Sequence, residues 1–142
     1  MTVCPWRVHT LKAITVKPVW AWAIIYASKD IENRSRRTHI RGPVAIHASK
    51  NMSRSEYEKS KNLFPSRWRN KLPAYEDLPR GVIIGVAEIV DCVTESKSPW
   101  FMEDYYGYVL KNQRPVNPIP CSGALNFWNL PPDIERKIKR AI

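Results

Sequence analysis

Two kinds of side chain in this sequence could take part in proton transfer: a lysine beside an apolar segment and a carboxylate inside an apolar run. Lys29 follows the apolar segment 19–27. In a partly desolvated pocket its pKa would fall, so that it could act as a general base or stabilise a phosphate or carbonyl oxygen. Glu88 interrupts the apolar run 82–90, where burial would raise its pKa and let it donate a proton. The alternative for Glu88 is an exposed strand edge or a structural ion pair with Lys29 or Arg34.

Glu32 is the other carboxylate close to Lys29 in the sequence. Side chains alternate between the two faces of a strand, so a strand over 29–34 predicts Lys29 and Glu32 on opposite faces. A lysine at the entrance of that strand could nevertheless reach the mouth of a cleft. Lys29, Glu88 and Glu32 are therefore the catalytic candidates.

A second group of residues has the chemistry of nucleic-acid contact. Arginines cluster on a loop between two predicted strands, and guanidinium groups bind phosphates bidentately. Trp68 offers a face for stacking unpaired bases, and Ser49 and Lys50 follow the predicted strand 43–48, whose end should open onto the same cleft. The nucleic-acid-binding candidates are Arg34, Arg36, Arg37, Arg41, Ser49, Lys50 and Trp68.

Charge is distributed unevenly along the chain. The net charge is +10, and the segment 34–71 has eleven Lys or Arg against two glutamates. The segment 75–104 has the opposite sign, with seven carboxylates against two cations. Dense positive charge attracts polyanions, which favours RNA or a nucleotide as partner, with DNA as an alternative. A solvated face, or an adaptor surface for an acidic protein, would have the same composition.

Length and composition exclude several classes of protein. A chain of 142 residues suits one domain with one core. Its longest apolar run, 19–27, is under half of the roughly 20 residues that a membrane span needs, and the N-terminus lacks an export pattern. These features predict a cytoplasmic protein without membrane contact. The oligomeric state stays open.

The cysteines and histidines lack the spacing of a metal site. Three cysteines and three histidines occur, and none forms a CxxC or HxxxH pair. His47, alone in an apolar strand, is typical of a hydrogen-bonded core residue. We expect neither a metal nor a cofactor. The residues concerned are Cys4, Cys92, Cys121, His9, His39 and His47.

These candidates must be positioned by a small α+β fold. The hydrophobic pattern predicts strands over 10–16, 29–34, 43–48, 81–93, 105–111 and 124–130, and helices over 18–27 and 54–63 and after Pro131. Gly85 indicates a bulge in the long strand. The segment 65–79 contains three prolines and predicts an irregular, mobile excursion. We therefore predict a mixed β barrel of five to six strands with two to three flanking helices.

Three blocks of this sequence resemble the ASCH family, the small relatives of PUA domains. They are Ile14-Thr15-Val16-Lys17-Pro18-Val19-Trp20-Ala21, then Lys29-Asp30-Ile31-Glu32-Asn33-Arg34, then Arg41-Gly42-Pro43 leading to Ile46-His47-Ala48, in the family's order. The resemblance implies a single domain with a PUA-like pseudobarrel over residues 1–142, to which the proline pattern adds a mobile basic excursion near 64–80. It also implies a cleft for RNA or a nucleotide.

The resemblance further implies two kinds of hydrolase as alternatives. Some family members deacetylate modified cytidine with a lysine, a threonine three residues later and a glutamate on a later strand. Lys29 and Glu88 match the lysine and the glutamate, whereas Glu32 occupies the threonine position, and a carboxylate does not replace a hydroxyl nucleophile. Other members cleave RNA in a cationic cleft. We predict RNA or nucleotide binding first, hydrolysis second and a protein-interaction adaptor third.

Overall fold

The computed structural model describes residues 10–142, so the predictions for Cys4, His9 and the N-terminal start lie outside the described residues. Six strands form one mixed sheet that curls into a half-barrel, as predicted. The strands are β1 (Lys12–Val16), β2 (Ile31–Arg34), β3 (Gly42–Ala48), β4 (Val82–Val93), β5 (Tyr106–Pro120) and β6 (Phe127–Asn129). Their order across the sheet is β2-β5-β4-β3-β1-β6.

The sheet has two edges that face each other across a seam. β1 runs parallel to β3, and the other neighbouring pairs are antiparallel. Side chains bridge the edges: Arg34 Nη2 on β2 donates to the Thr15 carbonyl oxygen on β1 at 2.8 Å. The Tyr108 and Phe127 rings stack with their centroids 6.0 Å apart. Curling therefore brings residues from both ends of the sheet order into one neighbourhood.

Four α-helices flank the sheet within the described residues, one more than predicted. They are α1 (Pro18–Tyr26), α2 (Arg54–Asn62), α3 (Ser66–Arg69) and α4 (Pro132–Ala141), and a 3₁₀ turn spans Tyr75–Asp77. Proline occupies the first turn of α1 and of α4, where its missing N–H costs nothing. A capping box between Ser53 and Glu56 begins α2, since each residue satisfies a free amide of the other.

Helix α1 is central to the core. It is apolar on every side, so it is buried between the sheet and the outer segments. Ile24 packs with the sheet residues, whereas Val19 and Ala23 pack with Phe64 and Trp100 on the other side. A smaller core lies under α4, where Ile134 and Ile138 are buried one turn apart.

Two strand boundaries differ from the prediction. β2 begins at Ile31 rather than at Lys29, because Ser28 adopts a φ of 56° and the chain turns there. β5 continues beyond the predicted strand 105–111 and through the proline-rich segment 114–120. β2 pairs only with Tyr106–Val109, so the second half of β5 is an edge, where prolines are tolerated.

The predicted irregularity at Gly85 is confirmed. The registers of β4 with β3 and with β5 both shift next to this residue. A Cβ there would lie 2.5 Å from the Arg114 carbonyl oxygen and 2.5 Å from Ile25 Cδ1. Only glycine allows α1 and β5 to approach β4 this closely.

The basic segment 64–80 packs on the core by means of three buried apolar side chains, Phe64, Leu72 and Leu78. It contains α3 and the 3₁₀ turn instead of lacking regular structure, whereas its mobility stays a prediction. Within residues 10–142, no helix has the length and apolar character needed to cross a bilayer.

Candidate functional site

Lys29 is buried and paired with Glu32. Its residue is 2% exposed, and Nζ lies 3.2 Å from Glu32 Oε1. Nζ also donates to the Ile31 carbonyl oxygen and lies 5.3 Å from the centroid of the Trp20 ring. The expectation of opposite faces was wrong because Lys29 precedes the strand, so that its side chain curls back over the first residues of β2.

Arg34 completes this buried cluster. Its Nε donates to Glu32 Oε2 at 2.8 Å, so both oxygens of the carboxylate are occupied. Burial lowers the pKa of Lys29, and Arg34 lowers it further, while Glu32 opposes the shift. The cluster therefore holds a lysine with reduced proton affinity against a fully hydrogen-bonded carboxylate.

The Lys29 cavity, a space of about 430 Å³, opens beside this cluster. Lys29 and Glu32 lie at its base, and Lys59 and Ser60 of α2 contribute polar groups. Its remaining lining is Trp20, Asn33, Leu63, Pro99, Trp100, Phe101, Met102 and Tyr105. The cavity is thus mainly aromatic and apolar, with one buried ion pair.

Glu88 does not line the Lys29 cavity. It is half-buried on β4 and accepts a hydrogen bond from Asn112 Nδ2 at 3.0 Å. Among the described residues it forms no ion pair with Lys29 or Arg34. Glu32, not Glu88, is the carboxylate that the fold brings to the lysine.

The loop cavity is a larger space of about 730 Å³ beside the segment 121–125. Ser49 and Lys50 line it just after β3, as the sequence predicted for a strand end. Arg80, which the sequence analysis did not select, lines it from the start of β4; its position before the strand that pairs with β3 could have indicated this. The other lining residues are Thr15, His47, Gly81, Pro120, Cys121, Ser122, Gly123, Ala124 and Leu125.

His47 is hydrogen-bonded at both ring nitrogens beside this cavity. Nε2 lies 2.7 Å from the Cys121 carbonyl oxygen, and Nδ1 lies 3.2 Å from Thr15 Oγ1. Trp128 Nε1 donates to the same hydroxyl at 2.9 Å. Burial lowers the pKa of His47, so the ring stays neutral at pH 7.

The seam cavity, about 200 Å³, lies between the two edges of the sheet. Arg34, Arg36 and Arg37 line it, together with Asn126 and Phe127. Arg36 and Arg37 are exposed. The Tyr108 hydroxyl donates to the Arg36 carbonyl oxygen at 2.8 Å, and Arg37 Cζ lies 5.1 Å from the Tyr106 ring centroid. β5 thus holds the arginine loop, the segment 35–41 between β2 and β3, at two points.

Two nucleic-acid candidates lie apart from these cavities. Arg41 Nη1 donates to the carbonyl oxygens of Thr38 and Ile40, and Nη2 lies 3.9 Å from Asp91 Oδ1. The Trp68 ring centroid has Arg67 Cζ and Lys71 Nζ each at 4.9 Å. Neither residue lines the Lys29 cavity, the loop cavity or the seam cavity.

No metal site emerges from the described part of the chain. Between residues 10 and 142, no three side chains of His, Cys, Asp or Glu come together in an arrangement that could hold a metal ion.

Three of the solved structures with a similar fold are of ASCH from Zymomonas mobilis. Similarity is found to the crystal structure of ASCH from Zymomonas mobilis, with a TM-score of 0.55 and 15% identity over 94% of this chain and 95% of that chain. A variant of that protein with phenylalanine in place of a tyrosine has a TM-score of 0.54 and 16% identity, over 91% of this chain and 96% of that chain. A variant with alanine in place of a serine has a TM-score of 0.52 and 16% identity, over 90% of this chain and 93% of that chain. At these identities the likeness shows the fold alone.

Sequence comparison identifies the family. No curated protein matches this sequence. The ASCH domain family model, however, matches residues 14–119, from β1 almost to the end of β5. The chain therefore belongs to the ASCH domain family.

Proposed function

We propose that this protein binds RNA or a nucleotide through the loop cavity and the seam cavity, which are lined by adjacent parts of the segment 121–126 and are together called the basic surface. One observation carries the proposal. The two cavities are lined by five cations and by no carboxylate among the described residues: Arg34, Arg36, Arg37, Lys50 and Arg80.

Three of these five cations keep their charge available. Arg34 is paired with Glu32 at 2.8 Å, and the Arg80 guanidinium donates to the Tyr75 carbonyl oxygen at 2.6 Å and lies 4.2 Å from the Tyr75 ring centroid. Arg36, Arg37 and Lys50 form no ion pair with any residue in 10–142. Cations without nearby carboxylates gain most from contact with phosphates, because binding releases the counterions condensed on the nucleic acid.

The dimensions of the two cavities favour an unpaired strand. The loop cavity, about 730 Å³, lies within the usual range for small-ligand sites. Pro120, Ala124 and the 88% exposed Leu125 offer apolar contact to a base. The seam cavity, at about 200 Å³, suits a phosphate beside Arg36 and Arg37. A base splayed out of a single strand could enter the first while its backbone follows the second.

Salt dependence of binding tests the proposal. A labelled single-stranded RNA of about ten nucleotides, which falls within known site sizes, is titrated at several salt concentrations. Three phosphate contacts predict a slope of log K against log salt of about −2, since each contact on a single strand contributes roughly −0.7. The double substitution Arg36→Ala/Arg37→Ala should reduce the steepness by about 1.4.

A matched control removes two positive charges elsewhere. Lys97→Ala/Lys111→Ala changes the net charge equally but touches neither cavity, so its slope should stay near that of the unsubstituted protein. Equal slopes for the two double variants would remove the arginine loop from the proposal. A protein that binds neither RNA nor single-stranded DNA, but captures an acidic protein, would be the adaptor instead.

A hydrolase is the second candidate, favoured by the Lys29 cavity. A buried lysine of lowered pKa at the base of a cavity of about 430 Å³ is a feature of sites that use a lysine base. Glu32 would orient this lysine, and Glu88 has no contact there that supports its predicted role. The test is incubation with acetylated cytidine and with RNA.

The matched variants for hydrolysis are Lys29→Arg and Lys59→Arg. Lys29→Arg retains a positive charge but not a titratable amine, so turnover should be lost. Lys59→Arg, on the same cavity, retains an exposed charge and should keep turnover. Products from the Lys29 variant would exclude Lys29 as the base.

A further inference from the structure

We propose that His47 is a positioning residue for ligand binding: it holds the segment 121–125 in place as one side of the loop cavity, through its hydrogen bond to the Cys121 carbonyl oxygen. The inference rests on the proposed function, because it concerns the affinity of that cavity for RNA. His47 is 2% exposed, so it has little surface with which to contact a ligand. Its effect must pass through the segment.

The hydrogen bonds determine which ring nitrogen carries the proton. The Cys121 carbonyl oxygen only accepts, so His47 Nε2, 2.7 Å away, must donate. In the neutral ring Nδ1 is then an acceptor, and Thr15 Oγ1 at 3.2 Å donates to it. The hydroxyl proton is free for this purpose because Trp128 Nε1 can only donate to the same oxygen. Trp128 and Thr15 thus fix the tautomer that binds Cys121.

A second contact ties the same segment to the ring. A Cβ on Gly123 would lie 2.5 Å from His47 Cε1 and 2.9 Å from Thr15 Oγ1. The backbone of Gly123 therefore lies against the imidazole, and only glycine fits. Together with the Cys121 hydrogen bond, this contact places two points of the segment on a single buried ring.

The rest of the segment has few other attachments. Cys121 N donates to the Gly81 carbonyl oxygen at 3.1 Å, which holds the point where β5 ends. Ser122, Gly123, Ala124 and Leu125 are all exposed. Without the His47 contacts, we expect this part of the chain to sample several conformations and to lose the shape of the cavity.

Two conservative substitutions separate the two hydrogen bonds of His47. Glutamine places an amide N–H near the position of Nε2, so His47→Gln can still donate to Cys121. Asparagine places its amide near Nδ1, so His47→Asn can bind Thr15 but not Cys121. We expect His47→Asn to weaken binding of the single-stranded RNA about tenfold, the equivalent of one lost hydrogen bond, and His47→Gln to restore most of it.

Amide hydrogen exchange of Cys121–Leu125 gives a readout that does not need RNA. It should rise in His47→Asn and stay near the value of the unsubstituted protein in His47→Gln, while exchange in β4 is unchanged in both. Equal exchange and equal affinity for the two variants would overturn the inference. If the unsubstituted protein does not bind RNA, the proposed function fails, and the exchange data alone decide whether His47 positions the segment.

Discussion

The Lys29 cluster and the basic surface differ in the burial and pairing of their positively charged side chains. In the cluster, Lys29, Glu32 and Arg34 are joined by contacts of 3.2 Å and 2.8 Å, and the Lys29 residue is 2% exposed. On the basic surface, Arg36, Arg37 and Lys50 are exposed. The two regions meet at Arg34, which pairs with Glu32 in the cluster and also lines the seam cavity of the basic surface.

This difference shows how burial decides what a cation can do. A buried charge must be paired, because removal from water costs more than any single contact returns. An exposed and unpaired charge costs little and remains available to a polyanion. Lys29 and Arg34 therefore contribute mainly to the internal arrangement of the fold. The exposed cations Arg36, Arg37 and Lys50 contribute instead to the electrostatic potential at the protein surface.

The largest expected effect comes from breaking the buried cluster. Lys29→Met should reduce the free energy of unfolding by about 3–5 kcal/mol, because Glu32 remains buried with one partner fewer. Urea denaturation measures this loss. The exposed Lys111→Met should change the free energy by less than about 0.5 kcal/mol. Similar losses in the two variants would contradict the contrast between paired and free cations.

An intermediate effect should appear as a pH dependence of stability due to His47. Burial lowers its pKa below 6.5 in the folded protein, so the unfolded chain binds the proton more tightly and stability is lost as the pH falls through the lowered pKa. The hydrogen bond from His47 to the Cys121 carbonyl oxygen opposes this shift, because it favours the protonated ring.

Urea denaturation between pH 7 and pH 5 would measure the dependence due to His47, in which a tenfold difference in proton affinity corresponds to about 1.4 kcal/mol. His47→Gln should reduce the difference between the free energies of unfolding measured at these two pH values. A variant with the same pH profile as the unsubstituted protein would show that His47 does not titrate in this range.

The smallest effect on stability is expected on the basic surface. Arg36→Ala/Arg37→Ala should change the free energy of unfolding by no more than about 0.5 kcal/mol, although it flattens the salt dependence of RNA binding. Thermal unfolding and the RNA titration on the same sample compare the two quantities. A loss of stability as large as that of Lys29→Met would mean that these arginines are part of the fold rather than free to bind.

Much of the fold could be predicted from local pattern. The alternation and β-branching of β1 and β4, the apolar α1 and the capping box of α2 depend on residues close together in the sequence. The long β5 could not be predicted because its prolines are acceptable only at an edge, and that edge exists because β2 begins at Ile31, opposite Val109, and pairs with no more than four residues of β5. How far β5 can extend therefore depends on its neighbour β2 and not only on its own residues.

The residues of the candidate sites likewise include some that local sequence features indicate and others that only the tertiary structure reveals. Ser49 and Lys50 were found because a strand end is a local feature, and Arg36 and Arg37 because their clustering is visible directly. Arg80 was missed because its position just before β4 indicates the cavity only once β4 is paired with β3. Glu88 was selected because it interrupts an apolar run and matches a glutamate of the family. Glu32 is the carboxylate beside Lys29 instead, because the turn at Ser28 folds the lysine back over β2.

The sequence by itself determined the ASCH family, the α+β class and the concentration of positive charge in one segment, since motif, periodicity and charge are read along the chain. Only the tertiary structure decided which cations are paired and which are free, and that Lys29 and the arginine loop belong to separate cavities. The physical reason is the curl of the sheet, which brings β2, β5, β1 and β6 together across a seam. The distances between side chains on these strands cannot be predicted from their separation along the sequence.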